Sequence, residues 1–136
     1  MQPNKHRTWA EIDLGAIEHN YRVICEAAKA PVLCVVKADC YGHGAVPVAN
    51  RLQSMGAPYF AVATVPEAVE LRENGIEKPI IILGYIDAAD MDTVAEYGIT
   101  APVYDEETAE LLSAAAVRTG RDITVHYKLD TGMTRI

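Results

Sequence analysis

The chain has 136 residues, of which 50% are hydrophobic and 23% charged, so it has the composition of a globular protein rather than a disordered tail. Its formal charge of −7 and its lack of a basic cluster argue against nucleic acid or an anionic membrane as partner. No apolar run reaches the roughly 18 residues of a membrane span, and no signal peptide is evident. Three cysteines without a C-x-x-C pair favour reduced thiols and a cytoplasmic location.

Apolar, β-branched runs recur along the chain at intervals of roughly twenty-odd residues, which is typical of βα units. These runs predict strands at 32–36, 59–63, 80–83, 100–103 and 123–127, preceded by an edge-like run at 8–13.

Amphipathic segments with capping residues separate the strands. Asp13 stands before a segment whose apolar residues share one helical face, so it is expected to cap the first helix. Thr64 and Glu67 have the spacing of a capping box, and Asp87 and Asp105 are expected to begin two further helices. Glycines stand where three of the helices are expected to end, at Gly75, Gly98 and Gly120.

Alternating strands and helices predict an α/β protein with a parallel sheet. Periodicity alone does not distinguish a doubly wound sheet from a (β/α)8 barrel. A complete barrel needs about 250 residues, so this chain has room for about five of the eight βα units.

Lys37 ends the buried-strand pattern Val32–Val36 and is followed at once by a glycine-rich turn. Lysine is rare at such positions without a partner or a task. A lysine amine that burial pushes toward neutrality can attack a carbonyl and form a Schiff base. The alternative is a strand-end lysine that extends its ammonium group into water.

Three segments resemble the bacterial alanine racemases. Residues 35–44 (VVKADCYGHG) are similar to the family's motif around its pyridoxal-phosphate lysine, with Cys40 where a smaller residue is usual. Residues 125–135 (VHYKLDTGMTR) resemble the strand with a modified lysine and the active-site arginine. Residues 7–14 (RTWAEIDL), with His19 and Asn20, are similar to the family's opening strand and first helix.

The resemblance implies a (β/α)8 TIM-barrel that binds pyridoxal 5'-phosphate (PLP). Residues 1–136 would be the N-terminal part of this barrel domain, and 8–13 would be a strand of a separate C-terminal β-domain. Lys37 would hold PLP covalently and act as general base toward D-alanine, and Tyr41 would bond the cofactor phosphate. Leu83 and Met133 are expected to line the cofactor pocket, although core packing explains both equally well.

The second lysine motif adds a substrate-binding group. Strand alternation puts His126, Lys128 and Asp130 on one face. The resemblance implies that Lys128 is carbamylated and pairs with Arg135, which helps to bind the substrate carboxylate. The alternative is an ion pair between Lys128 and Asp130 at the strand end.

The resemblance also implies a homodimer that interconverts L-alanine and D-alanine and supplies D-alanine for peptidoglycan. The second base would be a tyrosine from the partner subunit's C-terminal domain, which nothing in this chain matches. The chain is therefore interpreted as a fragment that is inactive alone. No metal site is predicted, because His6, His19, His43 and His126 are scattered.

Three alternatives remain open. The protein could be a serine or broad-specificity amino-acid racemase, because the residues that discriminate substrates lie largely outside this chain. It could be a non-catalytic PLP-binding barrel protein, although Lys128 and Arg135 together argue against this. It could also be a truncated product without function.

Overall fold

The computed structural model describes residues 8–136, so His6 and Arg7, the first residue of the 7–14 segment, lie outside it. Helices and parallel strands alternate as predicted. The helices are α1 (Leu14–Ala28), α2 (Lys37–Gly42), α3 (Ala45–Ser54), α4 (Val65–Glu73), α5 (Met91–Glu96) and α6 (Glu106–Thr119), with a 3-10 turn at Ala88–Asp90 before α5. The strands are β1 (Leu33–Val35), β2 (Tyr59–Val62), β3 (Ile80–Ile82), β4 (Ala101–Val103) and β5 (Val125–Tyr127).

The five strands form one continuous, all-parallel sheet in chain order. β2 pairs with β1 and β3, and β4 pairs with β5. A parallel bridge between Ile81 and Thr100 joins the two ladders, with the amide of Ile82 donating to the carbonyl of Thr100 over 3.1 Å. A doubly wound sheet reverses its strand order at a switch point, whereas a barrel keeps it. The order therefore identifies a partial (β/α)8 barrel.

The two faces of the sheet differ in burial. From β1 to β4 the outer face packs against the helices, and its side chains are buried: Cys34, Val36, Phe60, Val62, Ile80, Ile82, Ala101 and Val103. On β5 the same face is exposed. On the inner face Tyr59 is 42% exposed, and Leu33 and Val35 are also exposed, whereas the smaller Ala61 is buried. The hydrophobic core thus lies between sheet and helices, and the inner face is the one that a closed barrel would fill with side chains.

The capping predictions are mostly confirmed. Asp13 accepts from the amides of Gly15 and Ala16 at the start of α1, and Thr64 and Glu67 form the capping box of α4. Asp105 accepts from the amide of Thr108 at the start of α6. Asp87 precedes the 3-10 turn without a side-chain cap, because α5 proper begins only at Met91.

The predicted glycine stops and the N-terminal run have different outcomes. Gly75, Gly98 and Gly120 all have positive φ directly after a helix, where glycine avoids the steric cost of a Cβ. The run at 8–13 is not a strand in this structure, and Trp9 is 63% exposed.

No helix among residues 8–136 has the length and apolarity needed to cross a bilayer.

Neighbouring residues on β2 provide a test of which face carries the core. Phe60 is fully buried on the outer face, whereas Tyr59 lies half-exposed on the inner face. We expect Phe60→Ala to lower the free energy of unfolding by about 3–5 kcal/mol, because it leaves a cavity. Tyr59→Ala should lower it by less than about 1.5 kcal/mol. Urea unfolding followed by circular dichroism measures both, and equal losses would contradict the assignment of the faces.

Candidate active site

The carboxyl ends of the five strands meet at one edge of the sheet, here called the barrel mouth. Four of its residues directly follow a strand, and the fifth, Lys37, follows Val36, whose amide still pairs with β2. The five are Lys37, Ala63, Leu83, Tyr104 and Lys128. Strand alternation directs Ala63, Leu83, Tyr104 and Lys128 toward the inner face. Lys37 follows Val36, where the chain leaves the extended conformation with ψ of 19°, and all five residues are half-buried. In (β/α)8 barrels this edge carries the active site.

Backbone hydrogen bonds extend the ladders up to this edge. The amide of Val36 donates to the carbonyl of Ala61, that of Leu83 to Val62, and that of Lys128 to Val103, each over 2.9 Å. The positions of Lys37, Leu83 and Lys128 are therefore fixed by the sheet and not by flexible loops.

Lys37 and Lys128 occupy opposite sides of the mouth. They follow β1 and β5, the first and fifth strands of the sheet. In an eight-stranded barrel, strands four positions apart lie across the barrel axis from each other, and the interior is about as wide as the side chains that fill it. The strand order places Lys37 and Lys128 at the same edge of the sheet, and a closed barrel would bring them to opposite sides of one central space.

The segment after Lys37 is a left-handed helical turn. Ala38, Asp39, Cys40 and Tyr41 have φ between 51° and 55° and ψ between 35° and 51°. This conformation costs a non-glycine residue roughly 1–2 kcal/mol because its Cβ approaches the following carbonyl oxygen. Four such residues in a row are rare, and strain of this kind is concentrated at functional sites.

Hydrogen bonds at both ends hold this turn. At its start, the amide of Ala38 donates to Glu67 Oε1 over 2.7 Å. At its end, the amide of Ala45 donates to Asp39 Oδ1 over 2.7 Å, and the amide of Gly44 donates to the carbonyl of Asp39 over 3.0 Å. The side chain of Asp39 is therefore used to join the turn to α3.

The turn presents Tyr41 and uses the two glycines of the motif. The Tyr41 side chain is 61% exposed, so its hydroxyl is accessible. Gly42 and Gly44 have φ of 85° and 88°, which only glycine adopts without strain. The glycines are needed here to reverse the chain between the left-handed turn and α3.

On β5, His126 lies on the inner face as predicted. Its Nε2 is 3.2 Å from the carbonyl oxygen of Ile82 on β3, so the ring reaches across β4. Asp130 instead forms a turn of its own, since its Oδ1 accepts from the amides of Gly132 and Thr134, each over 2.9 Å. These bonds hold the pKa of Asp130 below its usual range.

None of the ion pairs among residues 8–136 includes a basic residue of the site, although the charge of Lys128 contributes to the lowered pKa of Asp130. The ion pairs in this part of the chain join Arg22 and Arg51 to Glu18, and Arg118 to Asp92. The alternative of an ion pair between Lys128 and Asp130 is therefore wrong in this structure. Arg135 is exposed and forms no ion pair with Lys128, as expected of two cations.

The thiols are not activated. Burial raises the pKa of Cys34 to about 11, with a further contribution from the neighbouring Cys25 and Cys40. Burial, followed by the charge of Asp39, also raises the pKa of Cys40. A raised pKa disfavours the reactive thiolate, so Cys40 acts as a packed side chain beside Lys37.

Sequence analysis missed two features of the site. The capping box was visible in the sequence, but the second bond of Glu67, to Ala38, joins residues 29 positions apart. Tyr104 is the neighbour of Lys128, because Val103 is in register with Tyr127, and burial raises its pKa. The only sequence signal for Tyr104 was its place directly after a predicted strand.

The fold agrees with the comparisons to known proteins. Residues 12–136 match the family described as alanine racemase, N-terminal domain. This chain belongs to that family. An alanine racemase of Symbiobacterium thermophilum is 45% identical over 130 residues, which are 95% of this chain and 34% of the relative.

Solved structures of the racemases share the fold. The alanine racemase of Clostridium difficile 630 is 41% identical with a TM-score of 0.92, and the match covers 98% of this chain and 35% of that one. A histidine racemase from Leuconostoc mesenteroides is 32% identical with a TM-score of 0.84, over 92% and 34% of the two chains. The chain thus spans about a third of the length of the racemases it matches.

The buried thiol next to the site has a testable pH dependence. Because the pKa of Cys34 is about 11, roughly one part in a thousand is thiolate at pH 8. We expect iodoacetamide to modify Cys34 more slowly than Cys25, with a Cys34 rate that still rises between pH 9 and 11. The free energy of unfolding should fall over the same range, because the unfolded thiol ionises first. Peptide mass spectrometry measures the rates, and equal rates for the two thiols would contradict this prediction.

Proposed function

We propose that this chain is the lysine-bearing N-terminal part of a cytoplasmic, PLP-dependent alanine racemase. The observation that carries the proposal is the pair Lys37 and Lys128, which are half-buried on strands four positions apart at the barrel mouth. Membership of the alanine racemase N-terminal domain family supports the same reaction. Residues 1–136 would form one part of the barrel domain.

The residues at the mouth fit PLP. The cofactor needs an amine for covalent attachment, and the Lys37 side chain has no ion pair within residues 8–136. Leu83 provides an apolar, half-buried surface at the same mouth, and the exposed hydroxyl of Tyr41 is available to the phosphate. When bound, PLP withdraws electrons from the α-carbon of an amino acid and so acidifies its proton.

Lys37 would have two tasks. Its Nζ would hold the cofactor between turnovers and, once released, would take the α-proton of D-alanine as general base. A base must be fixed within hydrogen-bond distance of the proton that it removes. The ladder bonds before Lys37 and the braced turn after it supply that fixed position.

Lys128 and Arg135 would bind the negative end of the substrate. The neutral Nζ of Lys128 would attack the carbon of carbon dioxide, forming an N–C bond and releasing one proton. The resulting carbamate is an anion and would pair with Arg135, whose planar guanidinium suits the substrate carboxylate.

Other parts of the enzyme would complete the site. A racemase moves protons on both faces of the α-carbon, so a second base is needed opposite Lys37. We propose that it is a tyrosine of a homodimeric partner's C-terminal domain. Residues 8–13 would become a strand of that β-domain, which would cover the exposed Trp9. This chain alone would then be inactive.

A second candidate is a racemase for another amino acid, such as serine, or for several. The match to a histidine racemase at a TM-score of 0.84 supports it, since a closely similar N-terminal part serves a different substrate there. A non-catalytic PLP-binding barrel is a third reading, which the presence of both Lys128 and Arg135 disfavours.

A chimera tests the proposed activity. This chain would replace the matching 35% of the Clostridium difficile alanine racemase. We expect the chimera to convert L-alanine to D-alanine and to exchange the α-proton in deuterium oxide. Lys37→Ala should lower kcat by roughly 10³-fold or more, because it removes both base and attachment point. Chiral chromatography and proton NMR measure the two processes, with serine and histidine as competing substrates.

The matched control is Lys78→Ala, an exposed lysine before β3 at the opposite end of the sheet. It should leave kcat unchanged. A chimera that binds PLP but never exchanges the α-proton would support the non-catalytic reading instead.

Carbamylation of Lys128 can be observed directly. We expect carbon-13 NMR of the chimera in labelled bicarbonate to show one carbamate signal, which Lys128→Arg abolishes because arginine stays protonated. The signal should disappear as the pH is lowered, since protonated lysine does not attack carbon dioxide. Persistence of the signal in the variant would assign the carbamate to another lysine.

A further inference from the structure

The carboxylate of Glu67 joins two neighbouring βα units. Its Oε2 accepts from the amides of Ala63 and Thr64, over 2.7 and 3.2 Å, at the start of α4. Its Oε1 accepts from the amide of Ala38, over 2.7 Å, in the turn that follows β1. Glu67 thus uses one oxygen for its own helix and the other for the turn next to Lys37.

Helix capping explains only half of this arrangement. A capping box needs the N3 side chain to accept from the N-cap amide, and Oε2 does so. The bond from Oε1 to Ala38 adds nothing to α4. Hydrogen bonds to an ionised carboxylate are stronger than those between neutral groups. The carboxylate that accepts this one belongs to a half-buried side chain, while Ala38 itself is exposed.

The bonded amide belongs to the peptide unit between Lys37 and Ala38. At this unit the chain enters the left-handed turn, in which φ of Ala38 is 51°. Holding this unit in place fixes the carbonyl carbon of Lys37. Because the chain before Lys37 is also held, this restricts φ of Lys37, the torsion that sets the direction of its side chain relative to β1. On the other side of Lys37, the amide of Val36 is held in the ladder by Ala61. Lys37 is therefore fixed by the sheet on one side and by Glu67 on the other.

We propose that Glu67 is a positioning residue for Lys37: by bonding the Ala38 amide it holds the left-handed turn and directs the Lys37 amine into the barrel mouth. The inference rests on the proposed role of Lys37. Asp39 also braces the turn, but its bond to Ala45 spans only six residues. Glu67 is the brace that ties the turn to the second βα unit.

Substitutions at Glu67 and Thr64 separate positioning from capping. In Glu67→Gln the amide oxygen can still accept at the start of α4, but its NH2 group then faces the Ala38 amide, donor against donor. Thr64→Ala weakens the cap from the other side, because Thr64 Oγ1 accepts from the Glu67 amide over 3.5 Å. It leaves the carboxylate bond to Ala38 in place and is the matched control.

The measurement is the covalent attachment of PLP to Lys37 in the chimera. Each variant is mixed with PLP, reduced with borohydride at timed intervals and digested, and mass spectrometry quantifies the label on Lys37. We expect Glu67→Gln to slow labelling by roughly 10- to 100-fold, the range expected of a reactive group displaced by about 1 Å. It should lower kcat more than it raises KM. Thr64→Ala should label at the rate of the unsubstituted chimera.

A third variant distinguishes position from charge. Glu67→Asp keeps the negative charge but is one methylene too short to reach both segments, so it should label as slowly as Glu67→Gln. Full recovery with aspartate would overturn the proposal, because charge would then suffice without the bridge. Equal slowing in Glu67→Gln and Thr64→Ala would also overturn it and leave Glu67 as a cap.

These outcomes are separable from failure of the proposed function. If the unsubstituted chimera acquires no label on Lys37, the role of Lys37 itself is wrong. If it acquires the label and Glu67→Gln does so at the same rate, only the positioning role of Glu67 is wrong.

Discussion

The site depends on one constraint, the unbroken run of parallel hydrogen bonds from β1 to β5. Because the strands follow chain order without a reversal, the residue after each strand arrives at the same edge. Each ladder also fixes alternation, so residues buried against the helices are followed by residues that point inward. Lys37 and Lys128 are 91 positions apart in sequence (128 − 37) and therefore lie at the same edge without any direct interaction. The sheet brings both residues to this edge, and the bond from Ala38 to Glu67 holds the turn that follows Lys37.

Features set by neighbouring residues were predictable from the sequence. Asp13, Asp105 and the box of Thr64 and Glu67 all act within a few residues, so spacing alone identifies them. The architecture of the sheet was not predictable in this way. The periodicity fits both a doubly wound sheet and a (β/α)8 barrel, and only the resemblance to a family favoured the barrel. The bond from Glu67 to Ala38 was out of reach, since it depends on two βα units lying side by side. The run at 8–13 was expected to be a strand and has no partner strand within residues 8–136.

In the turn after Lys37, the backbone conformation differs from the one that its residues prefer. Ala38, Cys40 and Tyr41 are not residues that favour left-handed φ, and no pattern of propensities predicts four of them in sequence. Such strain persists only where surrounding bonds over-determine it. Here the ladder before the turn, the carboxylates of Glu67 and Asp39, and the positive-φ glycines after it provide those bonds. Conflict between local preference and final structure is typical of functional sites.

The two lysines at the mouth are positively charged, whereas the chain as a whole has a negative net charge. The formal charge is −7, yet Lys37, Lys128 and Arg135 form no ion pair among residues 8–136. Asp130 lies two residues after Lys128, and its carboxylate already accepts from two backbone amides. Lys37 and Lys128 are half-buried cations without an ion pair within residues 8–136, and such groups favour anionic ligands. In the proposed enzyme, the cofactor phosphate, the substrate carboxylate and a carbamate on Lys128 would supply these anions, so one electrostatic requirement accounts for all three.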